Sequence, residues 1–82
     1  MKGYEDFIRS WEKFLPAEKV TDAGAATRIA EKIHCEFRGR YPASQWERDK
    51  IDYTSKIILG SSLLTASKRD RYKAYQKMNE NR

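Results

Sequence analysis

Tyr4, Phe7, Ile8, Trp11, Phe14 and Leu15 recur every three to four residues, the spacing that lines up one face of an α-helix. A strand could not gather them, because its successive side chains alternate between two faces. The pattern predicts a helix over about residues 4–15. Pro16 ends it, since the residue before a proline is pushed out of the α region. Glu5 and Asp6 lie early and Lys13 late, where the helix dipole favours each sign. A face this aromatic must be covered, so the rest of the chain has to supply partners for it.

The same periodicity returns downstream. Ala26, Ile29, Ala30, Ile33 and Phe37 predict a second helix over about 22–38, with Thr21 or Asp22 as N-cap. Gly39 stops it, and Pro42 follows. Ser44 and Glu47 form a capping box that opens a third helix, expected over about 45–65. On its wheel Trp46, Tyr53, Ile57 and Leu64 form one stripe, flanked by Ile51 and Ile58 on one side and Leu59 and Leu63 on the other. From Ile57 onward it is apolar on nearly every side, the pattern of a central, surrounded helix. Ser67 and Asp70 are a further start signal, so a fourth helix is expected over about 68–79, after a break near Thr65–Ser67; the alternative is one unbroken helix from 45 to 79. The final "NENR" should fray. The expected fold is all-α: one domain spanning residues 1–82, a compact bundle of three to four helices with the third central.

A chain of 82 residues buries only about 60–65% of its unfolded surface, so the core is thin. Cys35 is the one cysteine and His34 the one histidine, so the chain has no internal disulfide and no spaced metal-ligand set. No metal and no cofactor are expected. Ile57-Ile58-Leu59 is the longest aliphatic run, far short of a membrane span. The start "MKGYEDFIRS" lacks the apolar stretch of a signal peptide, and a lone thiol suits a reducing compartment, so the cytoplasm is the expected location.

Catalysis finds little support. There is no glycine-rich phosphate loop, no Cys-x-x-Cys and no His-x-x-x-His. His34 and Cys35 are helical neighbours and point about 100° apart, not toward each other as a base and nucleophile must. The alternating acids and bases at Glu31, Glu36, Asp49 and Asp52 fit solvated helix faces. A non-enzymatic protein is expected.

Charge gives the strongest functional signal. Residues 1–64 hold eleven basic and ten acidic groups, whereas 65–82 hold six basic and two acidic. The net of +5 therefore resides mostly in the last eighteen residues. There Lys68, Arg69, Arg71, Lys73 and Lys77 alternate with Tyr72 and Tyr75. Lysine and arginine neutralise phosphates, and tyrosine can stack on bases. Arg38, Arg40 and Tyr41 repeat the composition at the bend before the third helix. The expected nucleic-acid-binding residues are Lys68, Arg69, Arg71, Tyr72, Lys73, Lys77, Arg38 and Arg40. About five neutralised phosphates would give a slope of log K on log salt near −4 to −5 on duplex. Tyr72, Tyr75 and Met78 also have the i, i+3, i+6 spacing of a packed face, with the cations on the opposite side.

Two other arrangements compete. A helix-turn-helix would put Ser44, Gln45, Arg48 and Lys50 at the front of a recognition helix, but the connection from Arg38 to Ser44 is longer than the usual turn. A protein-interaction module, inhibitor or homodimer would use the apolar Ile57–Leu64 segment, or would dock the basic last helix in the groove of an acidic partner. Trp46 fits either a lid over the bundle end or a partner anchor.

Overall fold

The computed structural model describes residues 3–80. It contains four helices: α1 Tyr4–Phe14, α2 Ala23–Arg38, α3 Gln45–Ile58 and α4 Lys68–Met78. Among the described residues there is no strand, only a single parallel bridge between Val20 and Leu59. The helices close a ring in which α1 packs on α2, α2 on α3, α3 on α4, and α4 back on α1. The α2–α3 pair is the most extensive, and α3 lies between α2 and α4. The Cα radius of gyration, 11.5 Å, matches the roughly 12 Å of a folded chain this long.

Each helix starts where a side chain can satisfy its free N–H groups. Asp6 accepts the Gly3 N–H of α1, and Asp22 accepts the Ala25 N–H of α2. Ser44 accepts from Glu47 N, and Ser67 accepts from Asp70 N. The return bond of the box on α3 is displaced by one residue: the Glu47 carboxylate accepts from Ala43 N at 3.0 Å. Gly39 closes α2 in the left-handed conformation (φ 76°), which costs a glycine little.

The main departure from the sequence reading is the end of α3. The helix stops at Ile58, not near Thr65. Gly60 takes φ 85° immediately beyond, and the hydroxyls that follow divert the backbone from helical pairing. Ser61 Oγ donates to the Ile57 carbonyl, and Thr65 Oγ1 accepts from Ser62 N. The freed segment is stitched to the α1–α2 connection. Val20 N donates to Ser61 O at 2.9 Å, Gly60 N to Val20 O at 2.7 Å, and Leu63 N to Pro16 O at 2.8 Å. The break between α3 and α4 thus covers residues 59–67, and there is no surrounded apolar helix from Ile57 onward.

Phe7, Trp11, Leu15, Val20, Ala26, Ala30, Ile33, Ile51, Ile58, Ala74 and Met78 form one contiguous core. The buried stripe of α3 is Lys50, Ile51, Thr54 and Ile58, whereas Trp46, Tyr53 and Ile57 sit at its rim. On α4 the buried residues are Ala74 and Met78, while Tyr75 is half-buried and Tyr72 exposed. Of the expected fraying at "NENR", Asn79 caps α4 with its N–H directed at the Tyr75 and Gln76 carbonyls. Asn81 and Arg82 lie outside the described residues.

Candidate nucleic-acid interface

The cations that looked alike in sequence divide into two groups. Lys68, Arg69 and Lys73 are exposed on α4 and form no ion pair among the described residues. Arg69, Tyr72, Lys73 and Gln76 fall at i, i+3, i+4 and i+7, with Lys68 one turn before Tyr72, so they share the outward stripe of the helix. Arg71 is half-buried, and its Nε is buried without a hydrogen-bond partner among the described residues. Lys77 is paired with Glu80 at 2.9 Å, which raises its pKa.

The other expected contributors are engaged by groups of the fold, Arg38 half-buried and Arg40 exposed. Arg38 Nη2 donates to the Met78 carbonyl at 2.8 Å. It therefore meets the C-terminal end of α4, about 15 Å along the helix from Lys68. Arg40 grips Glu47 through both guanidinium nitrogens, at 2.9 and 2.7 Å. That fork and the Ala43 N–H hold the Glu47 carboxyl down at a pKa of about 2. The structure does not bring Arg38 and Arg40 onto the Lys68–Lys73 stripe.

The front of α3 is committed as well. Arg48 pairs with Glu31 at 2.8 Å, and Gln45 donates to Asp49. Lys50 is only 2% exposed. Its Nζ donates to the carbonyls of Lys77, Met78 and Glu80 at 2.6, 3.0 and 2.8 Å, under the Trp46 ring at 3.9 Å. Burial lowers its pKa. These side chains serve the bundle and leave a helix-turn-helix few free readers. Lys50 and Arg38 act together as a cationic cap on the orphan carbonyls that end α4. The charge pattern of the sequence disguised both as surface residues. Replacing Lys50 by methionine keeps the stem and removes the donors. It is expected to cost about 1–3 kcal/mol and to speed amide exchange across the last turn of α4. Unchanged protection there would show that the cap carries no energy.

An aromatic seam supports the α4 stripe from behind. Tyr4 of α1 contacts Tyr72 and Tyr75 edge-on, with ring centroids 5.5 and 5.4 Å away. Tyr75 continues the seam inward to Phe7 and Phe37 at 5.7 and 6.3 Å. Helical spacing marks Tyr4 only as core, and its place beside Tyr72 comes from the packing of α1 on α4.

Elsewhere the surface offers less. His34 is buried and bonded to Thr54 Oγ1 at 2.8 Å, while Cys35 borders a separate open hollow of about 470 Å³ with Phe14, Lys32, Gly39 and Tyr41. Burial raises the Cys35 pKa, which disfavours the reactive thiolate. Leu59 and Leu64 are exposed on the loop after α3, Leu64 by 84%. Among the described residues no group of His, Cys, Asp and Glu could hold a metal ion, and no helix is long and apolar enough to cross a membrane. No protein-family model, curated protein or solved structure matches the chain.

Proposed function

We propose that this is a non-enzymatic nucleic-acid-binding protein, serving as a regulatory or accessory factor, and that it engages the phosphate backbone through the outward stripe of α4. The observation that carries this reading is the trio Lys68, Arg69 and Lys73. These cations are exposed, clustered within two turns, and free of the carboxylate partners that neutralise Arg9, Lys13, Arg40, Arg48 and Lys77. Unpaired cations held in a row on a rigid helix are suited to an anionic polymer. Binding of this kind is electrostatic and weakly selective for sequence.

Three cations make a smaller footprint than the five counted in the sequence. With three phosphates neutralised, log K should fall against log salt with a slope near −3 on duplex and near −2 on single strands. Fluorescence anisotropy with labelled 20-mers at several salt concentrations measures this. The triple variant Lys68→Glu, Arg69→Glu, Lys73→Glu should abolish binding at low salt while helicity by circular dichroism stays unchanged, because all three side chains are exposed. Absence of wild-type binding at low salt would sink the reading. The exposed leucines Leu59 and Leu64 would then become the leading functional surface, with a protein partner or a second copy of the chain as occupant.

A further inference from the structure

We infer that the α4 stripe is built for single-stranded polynucleotide in preference to duplex, with Tyr72 as the platform on which a base stacks. This inference rests on the nucleic-acid reading above and adds the class of strand. Tyr72 is 49% exposed at the centre of the stripe, with Lys68 and Arg69 one turn before it, Lys73 beside it and Gln76 one turn after. It is not loose. Tyr4 holds the ring edge-on at 5.5 Å, and Tyr4 is itself held by Tyr75 at 5.4 Å, with its hydroxyl 3.5 Å from the Lys68 carbonyl. A ring fixed in advance loses little freedom when a ligand covers it.

Duplex bases are already stacked on each other and present no face to an outward tyrosine. Unpaired bases do present one, and base–aromatic stacking tolerates any base because each has a π-face. Cations on both sides of the ring would hold the backbone phosphates of the nucleotide whose base lies on it. On α1, the neighbouring solvent face carries Glu5 and Glu12 with Arg9 between them, a mixed surface beside the cationic α4 stripe.

The test compares wild type, Tyr72→Ala and Tyr72→Phe on oligo(dT)20, oligo(rU)20 and a 20-base-pair duplex at one salt concentration. Tyr72→Ala should weaken both single strands by about 5- to 150-fold, the range for losing one stacked base. It should leave duplex binding within twofold, and Tyr72→Phe should behave as wild type. An equal loss on single strands and duplex, or no loss on either, overturns the platform but leaves the electrostatic reading standing. A loss confined to the RNA strand also overturns it, because that would report a sugar contact. Failure of all three probes to bind wild type defeats both readings together.

Discussion

Replacing Phe7 by alanine is expected to destabilise the protein by about 3–5 kcal/mol, the usual range for truncating a buried phenylalanine. Phe7 has no exposed surface. Its ring meets Trp11 at 6.1 Å, His34 at 5.9 Å, Phe37 at 5.4 Å and Tyr75 at 5.7 Å, so one side chain joins α1 to α2 and α4. Truncation opens a cavity with four rings around it, and rings held by separate helices cannot all collapse inward. A domain of 82 residues has a total stability of only about 4–12 kcal/mol. The variant should therefore lose between about a quarter of its stability and all of it. Urea titration followed by far-ultraviolet circular dichroism measures the loss. Phe14→Ala is the matched control, since Phe14 is half-buried at the rim. If both variants lose equally, Phe7 is not a junction of α1, α2 and α4.

The second large effect concerns acid. His34 is 3% exposed, and its pKa is lowered from 6.5 to about 4. Burial is the first cause, and the positive charges of Arg38 and Lys50 add to it. The neutral ring shares a hydrogen bond with Thr54 and lies edge-on to Phe7. The unfolded chain takes up its proton near pH 6.5, whereas the folded chain resists until about pH 4. Stability is therefore full above pH 6.5, falls as pH drops through that window, and loses about 3 kcal/mol by pH 4. Glu47 acts in a lower window. Its carboxyl, held at about 2, contributes stability that is present above 4.5 and lost as pH falls toward 2. Urea midpoints at pH 7, 6, 5 and 4 should fall steadily for wild type. A non-titrating His34→Gln variant should be less stable at pH 7 and nearly flat between pH 6.5 and 4.5. A wild-type midpoint that does not move across this window would mean that His34 titrates normally.

Most of the architecture is legible from local rules. The α1 stripe, Asp22, Ser44 and Ser67 as N-caps, and Gly39 as the stop of α2 all follow from spacing and cap chemistry. The end of α3 was obscured because Leu59, Leu63 and Leu64 continue an apolar pattern past Gly60. The local turn at Gly60 and the hydroxyls after it are fixed in place by hydrogen bonds from Val20 and to Pro16, both forty or more residues earlier in the chain. Burial on α3 departs from the local pattern for a related reason. Thr54 and Lys50 look like surface residues, yet each is buried because a distant group, His34 or the end of α4, satisfies it.

The candidate site divides in the same way. The identity of the basic segment and its helical form follow from residues close together in the chain. Which of its charges are available does not, because a cation is free or spent according to what the fold places beside it. Composition, helical periodicity and capping determined by themselves that this chain is an all-α bundle of three to four helices with a basic C-terminal segment. Tertiary structure alone decided that Arg38 and Lys50 cap α4, that Arg40 belongs to Glu47, and that Tyr72 stands outward against Tyr4. Helix formation is governed by interactions within a few residues, whereas the environment of a charge or a ring is set by groups that only folding brings near.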